Sequence, residues 1–399
     1  MKYPFVALFA LAAVACNQGT PPPDLCGSPT DDGGSSADAS GAPLPSDGSA
    51  PTDAAGPMDA AAPAEDGATA VPASCGLCAD LSSLRVDQRV NALMGSEFPL
   101  FVEASAPGAA PIAMPGALWG APRGALLRAA VAANNVDAVR ALADRVESTL
   151  RSNSNGLAIN PPLAQAHSEE TLNDVMITAE ALGDACSGAL ALDGFAGDPS
   201  LFSRLRGAAP MLNTVLVRGL SDMPRFTIDR VGYPAYLAVA ARMMAACGTL
   251  VGDATAAASG LEAIDAMARV QTTDGFFFDA QGRYDTGGQA RALVNTIEAL
   301  RSVPLSGCAR RLAVVQSGLR WMASRVTSSG QVDSSGSATT CNAALGALRP
   351  TLDLSLVYRS LVMGSALFES DPNNAPLNAE AIKLSVFATM NQRVSTCVP

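Results

Sequence analysis

The sequence predicts an all-α fold: a helical-hairpin (α/α) toroid, incomplete or of five to six hairpins, placed after a disordered tether. Three observations predict it. Only 5% of the 399 residues are aromatic and 16% charged, while Ala and Gly abound, which suits close-packed helices and disfavours strands built on β-branched and aromatic side chains. From about residue 79 the apolar residues recur at helical spacing, broken by Gly/Pro/Ser-rich loops. A segment of 55 to 61 residues also recurs, the length of one two-helix hairpin.

The chain opens with Lys2 and an apolar run from Phe5 to Val14, too short to span a bilayer, and so reads as a signal peptide over residues 1–15. The Ala13-Val14-Ala15-Cys16 that follows resembles a bacterial lipoprotein signal, which implies cleavage before Cys16 and lipidation of its thiol. Asn17 resembles the residue found there in outer-membrane-sorted members. The other reading is an ordinary signal peptide cut after Ala15, with Cys16 a plain thiol. The expected location is outside the cytoplasm, lipid-anchored to the outer membrane or cell surface, with the lipid as the only membrane contact.

Residues 17–74 carry only four large aliphatic side chains, Leu25, Leu44, Met58 and Val71, among Pro, Gly, Ser, Ala, Thr and Asp. Nothing there offsets ordering entropy, so the lipidated cysteine and residues up to 74 form the disordered tether, with a root-mean-square span of roughly 40 to 45 Å. The first 74 residues hold nine acidic side chains and one basic one. Since the whole chain has 37 acidic and 26 basic residues, residues 75–399 keep 28 against 25 and are close to neutral. A nucleic-acid partner is therefore disfavoured.

Nine cysteines stand at 16, 26, 75, 78, 186, 247, 308, 341 and 397. With Cys16 lipidated, eight remain, an even number that points to disulfides in an oxidising compartment, with connectivity open. Cys75 and Cys78 form a C-x-x-C that zinc or redox chemistry would also use, but it stands at the exit of the tether, without a second such pair and in a chain whose one histidine is His167. No metal and no cofactor are expected.

Helices are predicted near 82–94, 122–133, 136–152, 170–185, 200–219, 233–247, 254–271, 288–302, 307–326, 351–369 and 377–392. Asn135 and Ser168 are the candidate N-caps, and Pro376 precedes the last helix. No convincing strand pair is read. Within this series Ser259-Gly260-Leu261, Arg269-Val270, Asp274-Gly275 and Asp279 match Ser317-Gly318-Leu319, Arg325-Val326, Gly330 and Asp333, at offsets of 58 residues falling to 56 at Arg-Val. Cys186, Cys247 and Cys308 are spaced by 61 each time. The few repeats and their drifting lengths favour a closed toroid over an open solenoid.

The loop Gln271 to Gln289 holds three carboxylates, an Arg, a Tyr and three Phe rings. At the mouth of a toroid such rings stack on sugar faces while carboxylates serve as acid and base. A hydrolase would use Asp279 as base and Asp274 as acid; a lyase would use Tyr284, with Arg283 holding the uronate and Phe277 and Asp285 as binding residues. The alternative is structural: Asp-Gly and Gly-Gly turns, a Phe plug, and Asp279 capping or pairing with Arg283.

Asp274, Gly275, Phe277, Tyr284 and Gly287 resemble a stretch of the toroid polysaccharide lyases that act on chondroitin, hyaluronan or alginate, and the repeat equally resembles the Asp-Gly turns of terpenoid-cyclase-type toroids. The first resemblance covers under twenty residues. It implies a carbohydrate-active protein with a polysaccharide partner, in which Tyr284 and Arg283 carry the chemistry.

His167, beside Glu169, Glu170 and Asp174, is a candidate base or substrate contact, or else a helix cap. Trp119 is a candidate sugar platform or a packed loop plug. Arg225, Asp229, Arg230 and Tyr233 are a solvated ion-pair group or a substrate clamp. The P-loop, Gly-x-Ser-x-Gly and His-Glu-x-x-His patterns are absent from the sequence. The expected function is thus a surface-tethered polysaccharide lyase or glycoside hydrolase, with a non-catalytic glycan- or protein-binding module, or a scaffold, as the alternatives.

Overall fold

In the computed structural model, contacts divide the chain into two units, Met1–Cys75 and Gly76–Pro399. The structure describes residue 81 and residues 84–94, 100–102, 110–114, 121–158, 169–209, 233–278, 284–303, 308–327, 331–337 and 354–368, all in the second unit. The signal, tether, C-x-x-C and 377–392 helix lie outside them. The described residues are predominantly helical: α1 Arg85–Met94, α2 Arg123–Ala132, α3 Val136–Ala158, α4 Glu169–Leu190, α5 Ser200–Ala208, α6 Tyr233–Val251, α7 Ala254–Ala268, α8 Thr286–Ser302, α9 Cys308–Ser324 and α10 Leu354–Leu367. One strand pair was not anticipated: β1 Leu100–Val102 runs antiparallel to β2 Ile112–Met114, Leu100 opposite Met114. Three residues per strand are too few to show an alternating pattern.

The helices fall into two kinds. Six make a cycle of packing contacts: α1 on α2, α2 on α4, α4 on α6, α6 on α8, α8 on α10, and α10 back on α1. The others lie against members of that cycle, α3 against α2 and α4, α7 against α6, and α9 against α8 and α10, while α5 packs mainly on α3. Sequence dictates the division. In α7 the buried residues Ala256, Ser259, Gly260, Ala263, Ile264 and Met267 recur at three- and four-residue steps, a single buried stripe. By contrast α6 buries 16 of its 19 residues and α10 all but its first, because both are apolar all round. Tyr233–Val251 is as long and apolar as a membrane span requires, with mean hydropathy 1.4, but it is enclosed by neighbouring helices and carries Arg242.

Two hairpins turn by the same device, a left-handed residue followed by an N-cap. Asn134 (φ 52°) ends α2, and the Asn135 side chain accepts from the Ala138 N–H at 3.1 Å to start α3, as predicted. Gly252 (φ 84°) ends α6, and Asp253 accepts from Ala256 N–H at 3.0 Å. Helix α5 stops at Ala208 rather than running to 219: Ala209 is extended (ψ 145°), as the residue before Pro210 is disposed to be.

Helices α4 and α6 are joined by a disulfide between Cys186 and Cys247, Cα atoms 5.0 Å apart, so the 61-residue spacing marks positions that face each other across adjacent cycle helices. Helices α2 and α4 approach at backbone distance: a Cβ on Gly124 would stand 1.9 Å from the Asp184 carbonyl oxygen, and one on Gly188 2.6 Å from Gly124 Cα.

Candidate functional site

The connection from α7 to α8 begins as a tight hairpin that the sequence repeats and the structure superposes. Thr272 N–H donates to Phe276 O at 2.8 Å and Phe278 N–H to Val270 O at 3.1 Å; after α9, Thr327 N–H donates to Gln331 O at 2.8 Å and Asp333 N–H to Arg325 O at 2.7 Å. The bridges Gln271 to Phe277 and Val326 to Val332 match as well. The structural offset is 55 throughout, one residue less than the Arg-Val match suggests, so Gln271 corresponds to Val326 and Phe277 to Val332.

That correspondence explains the residues. Phe277 and Val332 are both buried. Gly275 (φ 97°) sits on the backbone of α9, where a Cβ would lie 2.1 Å from Ser317 O. Its carbonyl accepts from the side-chain amides of Gln271 at 3.0 Å and Gln289 at 3.1 Å, and Gln289 Oε1 accepts from Phe277 N–H at 2.9 Å. Gln271 also donates to Val314 O at 2.8 Å, clamping the turn to α9.

Of the residues singled out by sequence, Asp274 is exposed at the tip of this turn, and Phe277 is core. Asp285 is the N-cap of α8: it accepts from Gly288 N–H at 3.0 Å and from Ser337 Oγ at 3.4 Å. Tyr284 is partly buried, with its hydroxyl donating to Ser335 O. Its ring packs against Phe276 at 5.6 Å and Trp321 at 5.7 Å, with the Arg325 guanidinium 5.1 Å from its centroid and 4.8 Å from that of Trp321. Phe278 completes the group, edge-on to Phe276 at 6.3 Å. Arg325 is held by Asp333 at 3.2 Å, and hydrogen bonds from Ser335, with Arg325 adding to them, hold the Asp333 carboxyl below its ordinary range. The two repeat loops thus converge on one partly exposed aromatic and cationic patch of Phe276, Phe278, Tyr284 and Arg325.

Cys16, Trp119, His167, Asp279 and Arg283 lie outside the described residues, as do Arg225, Asp229 and Arg230. Tyr233 opens α6, buried, its phenol pushed up by desolvation. Among the described residues no group of His, Cys, Asp and Glu is placed to hold a metal ion.

No family model matches this chain, no curated protein matches it, and no solved structure matches it.

A second polar assembly was not read from the sequence. Each helix of the cycle sends a buried polar residue to it: Asp87 from α1, Arg128 from α2, Asp184 and Ser187 from α4, Arg242 from α6, Asn295, Glu298 and Arg301 from α8, and Arg359 from α10. Asp87 pairs with Arg301 at 2.5 Å and Arg128 at 3.4 Å; Glu298 pairs with Arg301 at 3.4 Å and Arg128 at 3.8 Å. Arg242 reaches Asp184 at 2.8 Å, Ser187 Oγ at 3.2 Å and Asn295 Oδ1 at 3.4 Å. Burial pushes the Glu298 carboxyl up, but Arg301, Arg128, Arg242 and Arg359 together outweigh it and hold it at about 2. The signal was present: Arg242 and Arg359 are the only charges in two otherwise apolar helices. A lone charge there must face either solvent or a partner.

Proposed function

We propose that this protein is an exported, lipid-anchored (α/α) toroid that binds polysaccharide without cleaving it, through the patch at the converging repeat loops. The closed cycle of six helices, with other helices laid against it, supports the toroid reading. The observation that carries the function is the state of the loop's reactive groups. The Tyr284 hydroxyl is engaged by Ser335, Asp285 caps α8, and Phe277 is core, whereas Phe276, Phe278 and the Tyr284 ring remain partly exposed beside Arg325. Ring faces next to a guanidinium suit stacking on sugars and contact with a uronate. One feature favours a second, catalytic reading that adds Asp279 and Arg283: Asp274 is exposed at the turn and within reach of a substrate.

The full chain should be run through native gels containing neutral or uronate polysaccharide, with reducing-sugar and unsaturated-product assays in parallel. Retardation that weakens at least tenfold in Phe276→Ala/Phe278→Ala, with no product formed, is the expected result. Product formation abolished by Asp279→Asn would establish a hydrolase; loss with Tyr284→Phe would establish a lyase. Blank results in gels and assays alike would leave a scaffold.

A further inference from the structure

The polar assembly inside the helix cycle leaves two of its members short of a hydrogen bond. Arg359 on α10 is only 6% exposed, and its Nη2 is buried without a hydrogen-bond partner among the described residues. Glu298 on α8 is 2% exposed, and its Oε2 is buried in the same state, since Arg128 Nη1 at 3.8 Å stands beyond hydrogen-bond range. One is a donor and the other an acceptor. Charge is not what they lack: Asp184, Glu298 and Glu180 act on Arg359, and Arg301, Arg128, Arg242 and Arg359 act on Glu298. Glu180 also accepts from Asn295 Nδ2 at 3.1 Å, which joins it to the same network. A buried donor or acceptor with its hydrogen bond unmade is costly, so each of the two atoms calls for a partner.

Both residues line one cavity of about 30 Å³, together with Asp87, Arg301, Val362 and Met363. Its lining selects against ions of either sign. An anion would meet Asp87 and Glu298, and a cation would meet Arg301 and Arg359. A neutral molecule that both donates and accepts meets no like charge: it accepts from the guanidinium and donates to the carboxylate. At roughly 10 to 15 Å³ for each water, the volume admits one or two waters and nothing larger. A buried water needs about two to four polar partners, and this cavity is lined by four polar side chains, with Val362 and Met363 supplying an apolar wall.

We infer that the cavity is a built-in hydration site, holding one or two waters that accept from Arg359 Nη2 and donate to Glu298 Oε2, and so tie α10 to α8 by hydrogen bonds at the last step of the helix cycle before it closes on α1.

The site is tested on the full chain by crystallography and by filling the cavity. Wild-type density should show ordered water within hydrogen-bond distance of both Arg359 and Glu298, and crystals grown in sodium bromide should give no anomalous peak there. Val362→Leu adds a methylene to the apolar wall. Filling a wet cavity strands the donor and the acceptor, so this variant should melt roughly 5 °C lower, and oxygen-17 relaxation dispersion should count at least one fewer long-lived water than in the wild type. Filling a dry cavity has the opposite sign, because the added methylene gains contacts. Wild-type crystallography decides the matter even if Val362→Leu does not fold. A halide peak, a cavity without ordered water, a side chain of the chain itself bridging the two atoms, or a Val362→Leu that melts no lower than the wild type or loses no long-lived water would overturn the proposal.

Discussion

Arg242 on α6 donates to one oxygen of Asp184 on α4 at 2.8 Å, while the other oxygen accepts from the Gly124 backbone N–H at 2.5 Å. Gly124 and Ala125, which donates to the first oxygen at 3.2 Å, occupy the first turn of α2, whose own N-cap position is Pro122 and offers no side-chain acceptor. One carboxylate therefore caps one helix, pairs with a second and belongs to a third, with its negative charge at the positive end of α2.

Removing it should be costly. Asp184→Ala orphans two backbone donors and leaves Arg242 buried without its carboxylate, so we expect a loss of about 3 to 5 kcal/mol in urea unfolding. Asp184→Leu combined with Arg242→Met should recover much of that loss, since no charge is then stranded. A single-mutant loss under about 1 kcal/mol would show that the pair is solvated.

Gly124→Ala should destabilise by at least about 1 to 3 kcal/mol, because its Cβ would overlap the Asp184 carbonyl and force α2 off α4. Gly207→Ala, with nothing within 4 Å of the added atom, is the matched control and should be neutral or slightly stabilising.

Acid sensitivity follows from Glu298. Its folded pKa of about 2 is below the ordinary 4.5, so its contribution is fully present above pH 4.5 and is lost as pH falls towards 2. The gap corresponds to something on the order of 3 kcal/mol. Unfolding free energy measured from pH 7 to 2 should drop through that window, and Glu298→Gln should flatten that part of the profile while lowering stability at pH 7.

Cys186 and Cys247 are fully buried and close a loop of 61 residues, so the bond should resist reductant in the native state and yield on denaturation. By the chain-entropy relation its removal in Cys186→Ala/Cys247→Ala should cost about 4 kcal/mol. Alkylation mass spectrometry with and without denaturant checks the first point, and thermal unfolding the second.

For the anchor, the intact mass of protein from the membrane fraction should exceed that of the chain from residue 16 by a lipid-sized increment, and Cys16→Ser should abolish both the increment and the need for detergent. An unchanged mass in Cys16→Ser would reject the lipoprotein reading.

Helix positions were legible because apolar spacing is local information; even the Asn135 cap could be placed. Ends were less so. Helix α4 runs on to Leu190, past 185, and α8 starts at Thr286 because Asp285, read as a binding residue, is its cap. The repeat was visible, but its register was set by backbone hydrogen bonds, not by the Arg-Val identity. What sequence spacing does not encode is which charges meet: Asp87 and Arg301 are 214 positions apart and are brought together by the packing of the four other helices of the cycle. The patch at Arg325 was missed for a similar reason, since Trp321 and Tyr284 belong to different hairpins.

The contact of α10 on α1 bears on how such a chain is made. A chain emerging from its amino end presents α1 early, with Asp87 awaiting Arg301 in α8, and its far neighbour α10 is delivered almost last. Until then α1 and α2 lack part of their partners, and an interrupted chain exposes apolar helix faces together with unpaired charges. Closure of the cycle is therefore a late event in chain order: a chain interrupted before α10 leaves α1 without one of its two neighbours in the ring.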